Sequence, residues 1–260
     1  MSLLTVTIIQ TNLSWEDKQA NLQMLEEKIN SIKEKTELII LPEMFSTGFS
    51  MRPEQLAETM DGAAFAWMKR IASTKKIIVT GSLIIEENGK YFNRLIWMLP
   101  NGEYGCYNKR HLFAYGNENE HYAKGNKRLI ASIKGWKINL QVCYDLRFPV
   151  WSRQTNGEEF DVLIYVANWP ERRITAWKTL LQARAIENQC YVIGVNRVGN
   201  DGNNIYYSGE SMVINAMGEI LYCKANEEDI FTISLQKKHL IEVRNKFPFW
   251  KDADNFTIIN

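Results

Sequence analysis

Residues Asp161-Val162-Leu163-Ile164-Tyr165-Val166-Ala167 are apolar from the second position on, with no alternation between faces. A strand of this kind has no solvent side. It must be covered above and below, as the strands of parallel sheets are. Candidate covers recur along the chain. Ser14 to Asp17 reads as a helix start with acids in its first turn, and Leu22, Leu25, Ile29 and Ile32 follow at helical spacing. Phe65, Met68, Ile71 and Ala72 mark a second helix, and Ile174, Trp177, Leu180, Leu181 and Ile186 a third. Strands are predicted over Leu3–Gln10, Glu37–Leu41, Lys76–Ile85, the run ending at Cys143, 161–167 and Tyr191–Asn196. Hairpins are predicted for 91–99 with 103–108, and for Ser211–Ile214 with Glu219–Cys223. Strand and helix alternate in each half, which points to α/β layers with a mixed sheet and leaves open whether there is one sheet or two.

The chain has 260 residues, 45% of them apolar, which is enough for an extensive core. No Pro/Gly/Ser-rich linker, repeat or charge shift divides it, so a single domain over 1–260 is expected. A formal net charge of +1 argues against nucleic acid or an anionic membrane as a partner held by bulk charge, and no apolar run reaches the length of a membrane span. The four cysteines form no CxxC pair, and the amino terminus lacks the basic region of a signal peptide. A cytoplasmic protein with reduced thiols is the expectation. Cys106, Cys190 and Cys223 lie in apolar strand-like runs and read as packing residues. None of the three histidines has metal-ligand spacing with a second one, so no metal is assigned.

Three segments end apolar runs on reactive groups. In Leu38-Ile39-Ile40-Leu41-Pro42-Glu43, Pro42 stops the strand and Glu43 follows it. Lys109 in Tyr107-Asn108-Lys109-Arg110-His111-Leu112 stands where the return strand of the first hairpin runs out. Cys143 ends an alternating strand and begins Cys143-Tyr144-Asp145-Leu146-Arg147-Phe148-Pro149. Singly, each fits a solvated charge or a packing thiol. Together they place a carboxylate, an ammonium and a thiol at strand ends. A thiol is a useful nucleophile only as thiolate. A carboxylate can take its proton, an ammonium favours the anion, and the N–H of Tyr144 is placed to hold an oxyanion.

In order, wording and spacing, these segments resemble the three signature segments of the nitrilase superfamily, the carbon–nitrogen hydrolases. The resemblance extends from the first strand to near residue 235. It implies a four-layer αββα sandwich, with two mixed β-sheets packed face to face and helices outside. It implies Glu43 as base, Lys109 as cation and Cys143 as nucleophile, with no cofactor. A second glutamate of the family maps onto Glu118 by its distance before the Tyr122–Gly125 segment, with Glu120 as a competitor. The extended wording resembles bacterial omega-amidases. That implies hydrolysis of a small omega-amide of a 2-oxo dicarboxylic acid, 2-oxoglutaramate or 2-oxosuccinamate, through a thioester. Another C–N hydrolase, acting on a nitrile, an N-carbamoyl group or another aliphatic amide, is the alternative. Arg147 is then the candidate for the substrate's distal carboxylate, or else an ion-pair partner of Asp145 or another buried acid. Phe49 and Trp169 map onto pocket walls, or are core aromatics. His111 reads as orienting the lysine loop. Val150 replaces an acid common among relatives and leaves the substrate open. The family commonly dimerises, which makes the aromatic-rich segment 236–260 an arm at a homodimer interface or a cover for its own sheet.

Overall fold

The computed structural model describes residues 2–155 and 157–258. Its strands are β1 (Leu3–Gln10), β2 (Leu38–Ile40), β3 (Ile78–Glu87), β4 (Lys90–Met98), β5 (Tyr104–Asn108), β6 (Leu129–Ile133), β7 (Trp136–Val142), β8 (Val162–Ala167), β9 (Tyr191–Asn196), β10 (Val198–Asn200), β11 (Tyr206–Ile214), β12 (Ile220–Ala225) and β13 (Asp229–Gln236). The helices are α1 (Lys18–Ser31), α2 (Pro53–Leu56), α3 (Ala63–Lys75), α4 (Glu118–His121), α5 (Pro149–Ser152), α6 (Ile174–Asn188) and α7 (Lys237–Lys246). One sheet has the order β13-β1-β2-β3-β4-β5, and the other β10-β11-β9-β8-β7-β6 with β12 on β11. Each is mixed. Three parallel strands, β1-β2-β3 in one and β7-β8-β9 in the other, carry antiparallel neighbours.

Side-chain alternation builds four layers. Leu38 and Ile40 of β2 join Val162, Ile164 and Val166 of β8 in a core between the sheets. Ile39 and Leu41 point the other way, into a second core with Leu25 and Ile29 of α1 and Met68 and Ile71 of α3. Leu163, Tyr165 and Ala167 point away from the first core as well, under Trp177, Leu181 and Ala185 of α6. The continuous apolar run of β8 is therefore covered by a sheet on one face and a helix on the other. The expected sandwich of two mixed sheets with outer helices is the observed fold, and the helix periodicities mark the faces that meet them. No helix among the described residues is long and apolar enough to cross a membrane.

Several details differ from expectation. The first helix begins at Lys18 and not at Ser14, because the Asp17 side chain accepts from the Ala20 N–H at 3.0 Å and caps it. Ile186 is 56% exposed. Cys106 and Cys223 are exposed, while Cys190 is buried. Both exposed thiols sit on edge strands, β5 and β12, where the outward positions have no covering layer. Of the carboxyl-terminal segment, α7 seats Leu240 and Val243 against the inter-sheet core, whereas Phe249 and Trp250 stay exposed. Its residues 259 and 260 lie outside the described residues.

Leu140 of β7 is fully buried between the sheets. Leu140→Ala is expected to destabilise by about 2–5 kcal/mol, whereas Leu221→Ala on the outer strand β12 should stay within about 0.5 kcal/mol. Urea unfolding followed by circular dichroism checks this, and equal midpoints would mean that the sheets share no such core.

Candidate active site

The carboxyl ends of β2, β5, β7 and β8 open toward one place, and each delivers a polar residue there. After β2, Pro42 ends the ladder, and Met44 turns the chain at φ +44° with its N–H donating to Ser82 Oγ at 2.8 Å. Glu43 is left fully buried. Its Oε1 accepts from Asn93 Nδ2 at 2.8 Å and from Lys109 Nζ at 2.9 Å. Its Oε2 accepts the backbone N–H of Asn168, the residue after β8, at 2.8 Å, and Asn168 Nδ2 donates to the Glu43 carbonyl at 2.6 Å. Asn168 thus ties the two sheets together at the site.

Lys109 follows β5 and is 1% exposed. Its ammonium also meets both oxygens of Glu118, at 3.0 and 2.9 Å, and stands 5.2 Å from the centre of the Phe49 ring. Glu118 opens α4 and is buried, further fixed by the Phe113 N–H at 2.6 Å. Glu120 is exposed, so Glu118 is the second carboxylate at the site. Gly125 donates to the Lys109 carbonyl at 2.9 Å, and a Cβ there would fall 2.1 Å from the Asn108 carbonyl oxygen. Only glycine lets the chain pass so close to the lysine strand.

Cys143 follows β7 and is half-buried at φ +45°, an unusual backbone for a non-glycine residue and one that clusters at functional sites. The turn Cys143–Arg147 is locked by Asp145, whose Oδ2 accepts the Val142 N–H at 3.0 Å and the Tyr107 hydroxyl at 2.7 Å. Asp145 Oδ1 lies 2.8 Å from His111 Nδ1 and accepts the His111 N–H at 2.9 Å. One buried aspartate therefore joins the thiol turn to the lysine loop, and His111 holds that loop as expected. The Cys143 thiol donates to the Asn168 carbonyl at 3.9 Å.

Lys109 favours the thiolate as expected, but it does not act alone. Burial works against the charge on Lys109, but Glu118 and Glu43 outweigh it and hold the ammonium protonated beyond its ordinary range. Burial raises the Glu118 pKa; Lys109 opposes the rise and Glu43 adds to it. Burial likewise pushes the Cys143 thiol well up; Glu43 and Glu118 add to this, and Lys109 only partly offsets it. Flanked by two carboxylates, the ammonium does not make a resting thiolate. The sulfur stays protonated until its proton has somewhere to go.

Cys143, Lys109 and Asn168 line a cavity of about 270 Å³. Phe49, Trp169 and Arg147 line it too, so the three residues read as pocket candidates come together there. Arg147 makes no ion pair with Asp145, whose oxygens are taken as described; its guanidinium lies 5.0 Å over the Trp169 ring. Trp169 is itself fixed by Asn196, which accepts its N–H at 2.8 Å. The sequence reading did not mark Asn93, or Arg173 and Tyr207, which also line the cavity, and took Asp145 only as a partner for Arg147. Asn93 sits mid-strand in β4 with nothing around it to mark it, while Asn168, the first polar residue after a buried strand, gives the same signal as Cys143.

The carbon–nitrogen hydrolase model matches residues 5–245. The omega-amidase YafV of Escherichia coli (strain K12) is 42% identical over 256 residues, 98% of each chain. The 2-oxoglutaramate amidase of Bacillus subtilis (strain 168) is 30% identical over 251 residues, 95% of this chain and 96% of its own. The solved structure of a CN-hydrolase superfamily protein from Xanthomonas campestris, with an arsenic adduct in its active site, superposes over 100% of both chains at 42% identity with a TM-score of 0.97. The chain belongs to the carbon–nitrogen hydrolase family, which its three motifs resemble.

Proposed function

We propose that this protein is a thiol-dependent amidase that hydrolyses the omega-amide of a small 2-oxo dicarboxylic acid, 2-oxoglutaramate or 2-oxosuccinamate, to the acid and ammonia. The observation that carries the reading is the fully buried Glu43–Lys109–Glu118 cluster beside a thiol in a cavity that also holds Arg147. The names of the Escherichia coli and Bacillus subtilis relatives support the substrate class.

Each role follows from the surroundings of the residue. Glu43, already a factor in the thiol's titration, takes the Cys143 proton as sulfur attacks the amide carbon. Negative charge then develops on the carbonyl oxygen. Lys109 Nζ faces it, and so does the N–H of Tyr144, which as an early member of its helical turn has no partner within that turn. Collapse of the tetrahedral intermediate breaks the C–N bond. Glu43 returns the proton to the nitrogen, ammonia leaves, and an acyl thioester remains on Cys143. Water attacks the thioester, a carboxylate accepts its proton, and the acid departs with the thiol restored. Glu118 keeps Lys109 charged and in place. Arg147 takes the distal carboxylate, with Phe49 and Trp169 as walls. The whole chain acts as one domain, in a reducing compartment such as the cytoplasm. It works as a homodimer whose contact includes the exposed Phe249 and Trp250.

Cys143→Ala is expected to abolish ammonia release from 2-oxoglutaramate while the melting temperature stays near that of the wild type; undiminished turnover would remove the nucleophile. Glu43→Gln should lower kcat by about 10²–10⁴-fold, the range of a lost general base, as read from steady-state ammonia release. A larger catalytic efficiency on nitriles or N-carbamoyl compounds than on amides would overturn the substrate class. Glu118→Gln has an opposite effect on two readouts. Removing that negative charge lowers the thiol pKa, so more thiolate exists at pH 7 and iodoacetamide should label Cys143 faster, while amide hydrolysis falls. Slower labelling would contradict the charge balance assigned to the cluster.

A further inference from the structure

We propose that Arg173 forms, with Arg147, a two-guanidinium clamp that selects 2-oxo acid amides against 2-amino acid amides; this deepens the reading of the reaction given above and rests on it. Both side chains line the cavity that holds Cys143. Each guanidinium lies 5.0 Å over an aromatic ring, Arg147 on Trp169 and Arg173 on Phe113. Trp169 couples the two: its ring carries Arg147 on one face, and its Nε1–H donates to the Arg173 carbonyl at 2.8 Å. The forks are thus held by stacking from below, with their N–H edges free for a ligand.

Among the described residues, neither of these two cavity arginines has a counter-ion. Arg94, Arg184 and Arg244, which are buried or half-buried elsewhere, each reach a carboxylate or a carbonyl. Among the described residues, neither the Arg147 nor the Arg173 guanidinium has such a partner. Asp201 also lines the cavity, but its oxygens are occupied. Oδ1 accepts the N–H groups of Asn203 and Ile205 at 2.8 and 3.0 Å, and Oδ2 accepts the Tyr207 hydroxyl at 3.0 Å. Burial, with Arg172 and Arg147 as like-charged neighbours, holds the Arg173 pKa below its usual value, although guanidinium remains charged at neutral pH. Both residues are half-buried in the cavity wall, and with no protein acceptor on either guanidinium among the described residues their N–H groups are available to acceptors of a ligand.

A 2-oxo acid supplies them. Its carboxylate and adjacent oxo oxygen present three acceptors and no donor, which suits two forks. The corresponding amino acid places an ammonium at the oxo position. There it would face two guanidiniums in a low-dielectric cavity, which is a penalty directed against the wrong substrate.

The test compares wild type, Arg173→Gln and Arg173→Lys in two assays. In the first, ammonia release is measured from 2-oxoglutaramate and from glutamine. Arg173→Gln should raise KM for 2-oxoglutaramate by about 10- to 100-fold, the range of one lost charge-assisted contact, with a smaller change in kcat, and should narrow the preference over glutamine. Arg173→Lys keeps the charge but not the fork, so it should keep most of the preference, which is a charge effect, and recover only part of the KM. The second assay needs no substrate. Cys143 is alkylated with anionic iodoacetate and neutral iodoacetamide, and the rate ratio is referred to free cysteine. The ratio should favour iodoacetate in the wild type, remain so in Arg173→Lys and drop in Arg173→Gln. If the ratio and the 2-oxo preference are both unchanged in Arg173→Gln, the clamp is wrong. If the wild type ignores 2-oxoglutaramate yet shows an Arg173-dependent iodoacetate preference, the clamp stands and the assigned substrate falls. Should Arg173→Gln not fold, Arg173→Met takes its place in both assays: a narrowed preference with a lowered iodoacetate ratio supports the clamp, and values equal to those of the wild type overturn it.

Discussion

An ammonium with no solvent exposure has to be surrounded, and the placement of Lys109 between Glu43 and Glu118 accounts for much of the local architecture. A buried ion pair is seldom a net source of stability, because two desolvation costs stand against one Coulombic gain. Removing one partner is far worse, since it strands the other. The cluster therefore behaves as a unit, and residues that do no chemistry serve it. Asn93 donates to both carboxylates, at 2.8 and 3.2 Å, and Asn168 holds Glu43 at its side chain and its carbonyl. The Phe113 N–H fixes Oε2 of Glu118, which Lys109 also holds. These contacts come from both sheets, so the sandwich must close before the charges are satisfied.

The same closure sets the angle of attack. Strand β7 alone would deliver Cys143 to the cleft, but the thiol's direction depends on the positive φ at that residue and on the Asp145 lock behind it. Because Asp145 also holds His111 and Tyr107, the thiol turn and the lysine loop share one anchor. A distortion of either is transmitted to the other. Trp151 extends the anchor, its Nε1–H donating to the Tyr107 hydroxyl at 2.9 Å.

Strand ends were readable because the physics of termination is local. Proline stops a ladder, and a buried apolar run cannot take in a charge, so Glu43, Lys109 and Cys143 each stood out against their neighbours. Helix faces were readable at α1, α3 and α6 for the same reason. What was not local was not legible. Strand β13 pairs with β1 across most of the chain, and its half-exposed pattern offers no run to detect. Asn93 is polar in the middle of β4 and acquires meaning only when Glu43 and Glu118 arrive from elsewhere. The thiol's raised pKa was not legible either, because it depends on burial and on both carboxylates around Lys109 as well as on the ammonium itself. Exposed Cys106 and Cys223 show the limit of composition, since an apolar-looking strand at a sheet edge still has an outward face.

The charges also give the cavity a direction. Lys109, paired with two buried carboxylates whose charges outweigh its own, lines the cavity together with Arg147 and Arg173. In a space of about 270 Å³ these fields are only weakly screened. A molecule with one anionic and one neutral end has a single favourable orientation, anion against the arginines and neutral carbonyl toward Lys109. The reverse pose would set a carboxylate against Glu43 and Glu118. Orientation is thus decided by the gradient before any contact is optimised. The carboxylate product of hydrolysis, bearing a new negative charge near Glu43 and Glu118, is held less well than its neutral precursor.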